Sequence, residues 1–192
     1  MKKSILFYIL LLLPILNSCS KEDEEFFNAV YTTIPNLVTV EVQSSYNVND
    51  VLWLNTNNFS RYLNQPNQTT PLDVFKTTRS NYFIFTYRLE KKINESEWEN
   101  VSVGNNFIAE KGRITTNVYV SGYADFNATT NQYEHRGGIR LTQPGDYRLI
   151  FFDGYNGSNF DLISDSANNF TFLTINTTAV NLSGTTYNFT VN

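Results

Sequence analysis

This sequence predicts an all-β fold, an antiparallel β-sandwich, and three observations carry the prediction. No segment beyond residue 36 sustains the apolar spacing of an amphipathic helix. Many short stretches instead alternate apolar and polar residues with period two and are rich in Val, Ile, Thr, Tyr and Phe, with turn formers between them. The alternation is one-sided, apolar in and polar out, as in antiparallel sheets and unlike the continuously apolar strands of parallel α/β folds.

The expected strands, in order, are Leu37–Gln43, Val51–Leu54, Tyr82–Lys91, Asn106–Glu110, Ile114–Tyr123, Gly138–Leu141, Tyr147–Asp153, Phe170–Ile175 and Thr186–Val191. In Tyr82–Lys91 the set Phe83, Phe85, Tyr87 and Leu89 shares one face, leaving Tyr82, Ile84, Thr86, Arg88 and Glu90 on a face expected to be largely wet. The stretch from Asn55 to Ser80, with Pro66 and Pro71, is the least regular, with a short helical turn expected around Phe59–Leu63. Asn127 to Asn131 reads as a hairpin tip, and Gln143-Pro144-Gly145-Asp146 as a tight turn. Trp53 and most aromatic residues are expected in the core, with Trp98 covering a sheet edge.

Pro144-Gly145-Asp146-Tyr147-Arg148-Leu149 resembles the Gly-x-Tyr strand entry of immunoglobulin-like sandwiches. That resemblance implies that the Tyr147 hydroxyl pins a corner by bonding back to the main chain. A lipid-facing β-barrel is disfavoured, because Arg88, Glu90 and Arg148 stand on outward strand faces that lipid would penalise.

The first 18 residues read as a signal peptide, with Lys2 and Lys3 ahead of an apolar run from Ile5 to Leu16 that only Pro14 breaks. That run falls short of the roughly 20 residues a spanning helix needs. Leu16-Asn17-Ser18-Cys19 resembles the lipobox of bacterial lipoproteins, Asn17 being a mild departure. The resemblance implies cleavage before Cys19 and a fatty-acyl anchor on its thiol, and two or three acyl chains hold a protein durably on a membrane. Ser20, Lys21, Glu22, Asp23, Glu24 and Glu25 resemble the acidic export signal of Bacteroidetes surface lipoproteins, and the same run also reads as a solvated spacer. Residues 19–35 are expected to form the lipidated tether and residues 36–192 the sandwich domain. The whole organisation is similar to the small surface lipoproteins of that group, which implies an outer-membrane address facing the cell exterior.

Composition narrows the chemistry. The chain carries a net charge of −4, and loss of Lys2 and Lys3 with the leader leaves 12 basic against 18 acidic residues, or −6. A nucleic-acid partner is therefore not expected. One cysteine permits no internal disulfide, and His135 is the single histidine, so neither a metal nor another cofactor is expected. His135, in Tyr133-Glu134-His135-Arg136-Gly137, reads as an exposed polar residue at a strand edge or turn. No Gly-x-Ser-x-Gly elbow, phosphate-cradling glycine loop or His-Glu-x-x-His helix is present.

Asp125 to Asn131 follows the early spacing of a calcium loop but lacks its glycine, and Arg136 stands where the bidentate glutamate belongs. Asp153, Asn156, Ser158, Asp161 and Asp165 are read as ordinary polar residues rather than a calcium site, and Glu95, Glu97 and Glu99 as a solvated strand face. Asp165-Ser166-Ala167 resembles the short O-glycosylation site of Bacteroidetes. The candidate ligand contacts are Trp98 and Tyr155, whose rings can stack on a sugar while neighbouring Asn and Asp side chains take its hydroxyls. The expected function is a noncatalytic, lipid-anchored surface module that binds a glycan or a partner protein. The alternatives are a carboxylate-dependent glycan hydrolase and a structural subunit of an envelope assembly.

Overall fold

The computed structural model describes residues 28–56, 59–152, 159–165 and 171–192. Its elements are β1 (Asn28–Thr33), β2 (Val38–Glu41), β3 (Val51–Asn55), β4 (Tyr62–Leu63), β5 (Leu72–Asp73), a short helix α1 (Val74–Thr78), and β6 (Tyr82–Lys92). There follow β7 (Trp98–Asn100), β8 (Phe107–Lys111), β9 (Arg113–Thr116), β10 (Val120–Asn127), β11 (Gln132–Glu134), β12 (Arg136–Arg140) and β13 (Gly145–Phe151). The last four are β14 (Phe160–Ser164), β15 (Thr171–Thr177), β16 (Ala179–Val180) and β17 (Thr186–Val191). The fold is all-β, built of sheets packed face to face.

The larger sheet runs β1-β15-β14-β6-β10-β11, with β13 joining β6 to β17 and with β7 and β9 paired to β6 and β10. The smaller runs β16-β2-β3-β12-β8. The long strand β6 serves as the spine, its first half pairing with β10 and β14 and its second half with β13 and β7. One core lies between the sheets. It takes Val38, Val40, Leu52, Leu54 and Ile139 from the smaller sheet, and Phe83, Phe85, Tyr87, Leu89, Leu149, Phe151, Leu173 and Ile175 from the larger. The predicted inner face of β6 is thus buried as a set. Its other face is drier than its alternation suggests: Glu90 is only 6% exposed, because Arg88 and Arg148 close over it from either side.

Two strand pairs leave one sheet and enter the other side by side, as orthogonal sandwich corners do. β8 continues into β9 through Gly112, and β11 continues into β12 through His135. Gly112 holds φ +66°, and a Cβ there would lie 2.1 Å from the Tyr123 carbonyl oxygen and 2.8 Å from that of Glu134. A register shift between Arg136 and Gly137 completes the bend.

Several elements depart from the sequence reading. β1 lies within the stretch expected to be tether, paired in parallel with β15 from Asn28↔Thr171 to Thr33↔Asn176, with Val30 against the core. Its partner is more than 140 residues away, so no local pattern announces it. The single strand expected at Ile114–Tyr123 is a hairpin of β9 and β10. Its loop, residues 117–119, has an odd length that keeps the period-two alternation in phase across the reversal. Phe59–Leu63 holds no helical turn: Phe59 is fully buried against Phe83 and Tyr133, and Tyr62–Leu63 forms β4. The helix comes later, where Asp73 caps α1 by accepting from the Lys76 N–H at 3.0 Å, and Arg79 ends it in the left-handed region. Trp53 is half-buried on the outer face of the smaller sheet rather than in the core.

The tyrosine corner is present, with the Tyr147 hydroxyl donating to the Gln143 carbonyl at 2.9 Å. Tyr87 offers the opposite case, a fully buried hydroxyl with no hydrogen-bond partner. Tyr147→Phe should therefore lower stability by about 1 kcal/mol, whereas Tyr87→Phe should leave it unchanged or raise it by a similar amount. Urea denaturation of the two variants checks this, and equal losses would contradict it.

Candidate functional site

A groove of about 660 Å³ lies where the two corners meet the outer face of the smaller sheet. Strand register assembles its floor. Thr39 on β2 pairs with Asn55 on β3, Asn55 with Arg136 on β12, and Arg136 with Lys111 on β8, so the four side chains share one row of the sheet face. Glu41 follows Thr39 by two residues and therefore points the same way. Gln132 and Glu134 of β11 form the opposite wall, contributed by the larger sheet.

Arg136 organises the floor. Its guanidinium forks onto Glu41, Nε to Oε1 at 2.9 Å and Nη2 to Oε2 at 2.8 Å, while Nη1 pairs with Glu110. The same group lies 4.1 Å from the centre of the Trp53 ring. The Trp53 indole fits beside it because Gly138 has no side chain, and a Cβ at that position would stand 2.8 Å from the ring. Asn55 donates to Glu41 at 2.6 Å, and its own side-chain oxygen is buried without a hydrogen-bond partner. Two carboxylates hold the Arg136 pKa above its ordinary value, and the Arg136 hydrogen bonds hold the Glu41 carboxyl below its own against the opposing effect of burial. For Glu134 burial pushes upward, but hydrogen bonds from Asn127 and Thr130 and the charge of Lys111 outweigh it, and the net direction is down. Both carboxyls are thus ready acceptors at neutral pH. A glycosidase acid needs the reverse shift.

His135 sits behind this groove rather than on the surface where the sequence placed it. Only 2% of it is exposed, because the chain passes between the sheets at this point and carries the ring into the core. Its Nδ1 lies 3.1 Å from the Tyr123 carbonyl, its ring meets Phe85 edge-on at 5.0 Å, and Nε2 has no partner. Burial pushes its pKa down to about 4, despite the Tyr123 carbonyl and the charge of Asp125, so the ring is neutral with its proton on Nδ1. Thr56 clamps the corner, accepting from the His135 N–H at 2.8 Å and donating to the Tyr133 carbonyl at 3.0 Å.

The residues singled out from sequence lie elsewhere. Trp98 is on the edge strand β7, half-buried, with the Arg148 guanidinium 4.4 Å from its ring centre. It lines a separate groove of about 440 Å³ with Lys92, Asp146, Tyr147, Asn188, Phe189 and Thr190. Tyr155, Cys19 and the run Ser20, Lys21, Glu22, Asp23, Glu24, Glu25 lie outside the described residues, as do Asp153, Asn156 and Ser158. Asn127 to Asn131 forms the expected hairpin tip, Asn127 accepting from the Thr129 N–H at 2.9 Å. Glu95, Glu97 and Glu99 are exposed. Among the described residues no three His, Cys, Asp or Glu side chains gather as metal ligands would.

Nothing in the sequence pattern says that β2, β3, β12 and β8 are neighbours. Compared with known proteins, the chain matches no family model, no curated protein and no solved structure.

Proposed function

We propose that the chain is a lipid-anchored, noncatalytic surface module that binds a glycan in the groove between the corners and the smaller sheet. One observation carries the reading: all nine residues lining the groove, Thr39, Glu41, Asn55, Thr56, Lys111, Gln132, Glu134, His135 and Arg136, are polar or charged. Sites for drug-like ligands are walled mainly by apolar side chains with a few polar anchors. A wall of amides, carboxylates and cations suits a ligand that is itself dense in hydroxyl donors and acceptors. The two floor groups are fixed before any ligand arrives, since Glu41 and Arg136 hold each other in a fork, and pre-organised groups give up less freedom on binding.

The address rests on the leader over residues 1–18, the lipobox ending in Cys19 and the acidic run after it, and an immunoglobulin-like relationship of the sandwich rests on the Tyr147 corner. Radiolabelled palmitate should mark the wild-type chain in a lipoprotein-processing bacterium and leave Cys19→Ala unlabelled; label on the variant removes the anchor. For the groove, the full chain is screened on an array of neutral and acidic oligosaccharides beside the double variant Lys111→Ala, Gln132→Ala. Both side chains are exposed, so stability should change by no more than about 0.5 kcal/mol. Affinity for the best ligand should fall tenfold or more, and an unchanged affinity would move the site out of this groove.

A further inference from the structure

The outer face of the β1–β15–β14 edge carries a different surface. Register lays it out as a small grid. Asp161, Asn176 and Thr33 are cross-strand neighbours in one row, and Ile163, Thr174 and Tyr31 in the next. Neighbouring strands stand about 5 Å apart and same-face residues about 7 Å apart along a strand. The six side chains therefore span a patch matching the face of one or two pyranose rings. The two rows differ in kind. Tyr31 is 74% exposed and Ile163 44%, so one row offers an aromatic ring and an aliphatic side chain to solvent. The other is a wired polar row: Asn159 Nδ2 donates to Asn176 Oδ1 at 2.6 Å, and Asn176 Nδ2 donates to Asp161 Oδ1 at 2.9 Å. Pro66 completes a hollow of about 620 Å³ over the grid, tied to β1 through Gln65, which donates to the Thr32 hydroxyl at 3.1 Å.

We infer that this sheet face is a second sugar-contact surface, distinct from the polar groove and selective for neutral pyranose units. The inference rests on the reading that the chain binds glycans, and it adds a second contact surface and a sugar class. A pyranose is amphipathic in the same sense as the grid. Its axial C–H face stacks on an aromatic ring, while its edge hydroxyls need donors and acceptors at the ring's rim. Tyr31 supplies the platform, and Asp161 and Asn176, already oriented by each other and by Asn159, supply the rim. The sign of charge sets the class. Asp161 is the single charged residue among those lining the hollow, so a uronate carboxylate meets repulsion with no cation to offset it.

Calorimetric titration of the full chain with cellopentaose, mannopentaose and a pentagalacturonate tests this, using wild type, Tyr31→Ala, Tyr31→Trp, Asp161→Ala and the double variant Lys111→Ala, Gln132→Ala. A neutral pentasaccharide should bind wild type. Its affinity should fall tenfold or more in Tyr31→Ala and in Asp161→Ala, and should persist in Tyr31→Trp and at this face in the double variant. Thermal melting confirms that each variant is folded. Neutral binding that Tyr31→Ala leaves unchanged overturns the second surface and leaves the groove reading standing. Binding of the galacturonate alone overturns the neutral class. Absence of binding by wild type to all three, together with a blank array, overturns both readings.

Discussion

Gly112→Ala should cost on the order of 4 kcal/mol or more, a large share of the net stability of a domain this size. Two penalties add. The backbone holds a left-handed φ of +66°, which charges any L side chain roughly 1–2 kcal/mol. The new Cβ would also stand 2.1 Å from one main-chain oxygen and 2.8 Å from another, and neither belongs to a flexible side chain that can swing away. Gly184 separates the two terms, because it holds φ +64° with nothing within 4 Å of its Cβ position. Gly184→Ala should show the backbone penalty alone. If guanidinium denaturation gives both variants the same loss, the corner is looser than the structure has it.

His135 should make the fold sensitive to mild acid. Its pKa is 6.5 in an unfolded chain and about 4 in the folded one, so between those values the unfolded state holds the extra proton. The contribution of His135 to stability is fully present above pH 6.5, falls as the pH drops, and is gone below about 4. The shift corresponds to about 3 kcal/mol, an order-of-magnitude figure. Carboxyls with lowered pKa, among them Glu41, Asp73 and Glu134, add their own losses at the acid end, so the diagnostic window is the upper part, from pH 6.5 down to 5. His135→Asn keeps a donor near the Nδ1 position but cannot titrate. Its stability at neutral pH should be lower, while its dependence on pH across that window should be nearly flat. A wild-type curve that is flat from 6.5 to 5 would show that the ring is not held neutral by burial.

How far the sequence could be read follows from which interactions are local. The inward set of β6 was legible because Phe83, Phe85, Tyr87 and Leu89 obey one period on one strand. The Tyr147 corner was legible because its hydroxyl reaches only four residues back, to Gln143, and the 127–131 tip because Asn127 caps its own turn. The corners were not. His135 looks exposed when its neighbours are Glu134 and Arg136, and only the passage from one sheet to the other turns it inward. Trp53 looks like core because tryptophan is the largest apolar side chain, yet its parity on β3 puts it outside, where Arg136 covers it. The groove needs residues 39, 55, 111 and 136 in one row, and that adjacency is a property of sheet order. The grid on β1, β15 and β14 is harder still, since β1 pairs with a strand at the far end of the chain.

Under the proposed anchor on Cys19, the place of β1 would also set how far the module stands from the lipid. With the lipid on Cys19, a domain beginning at residue 36 would hang on 17 residues, a reach of about 60 Å when fully extended. Because β1 already begins at Asn28, that count drops to nine residues, Cys19 included, and the reach falls to about 30 Å. Such an anchor would hold the module on a short leash, close above the bilayer, where it would sweep only a thin layer over the membrane. The strand nearest that leash, β1, bears Tyr31, the ring proposed as a sugar platform.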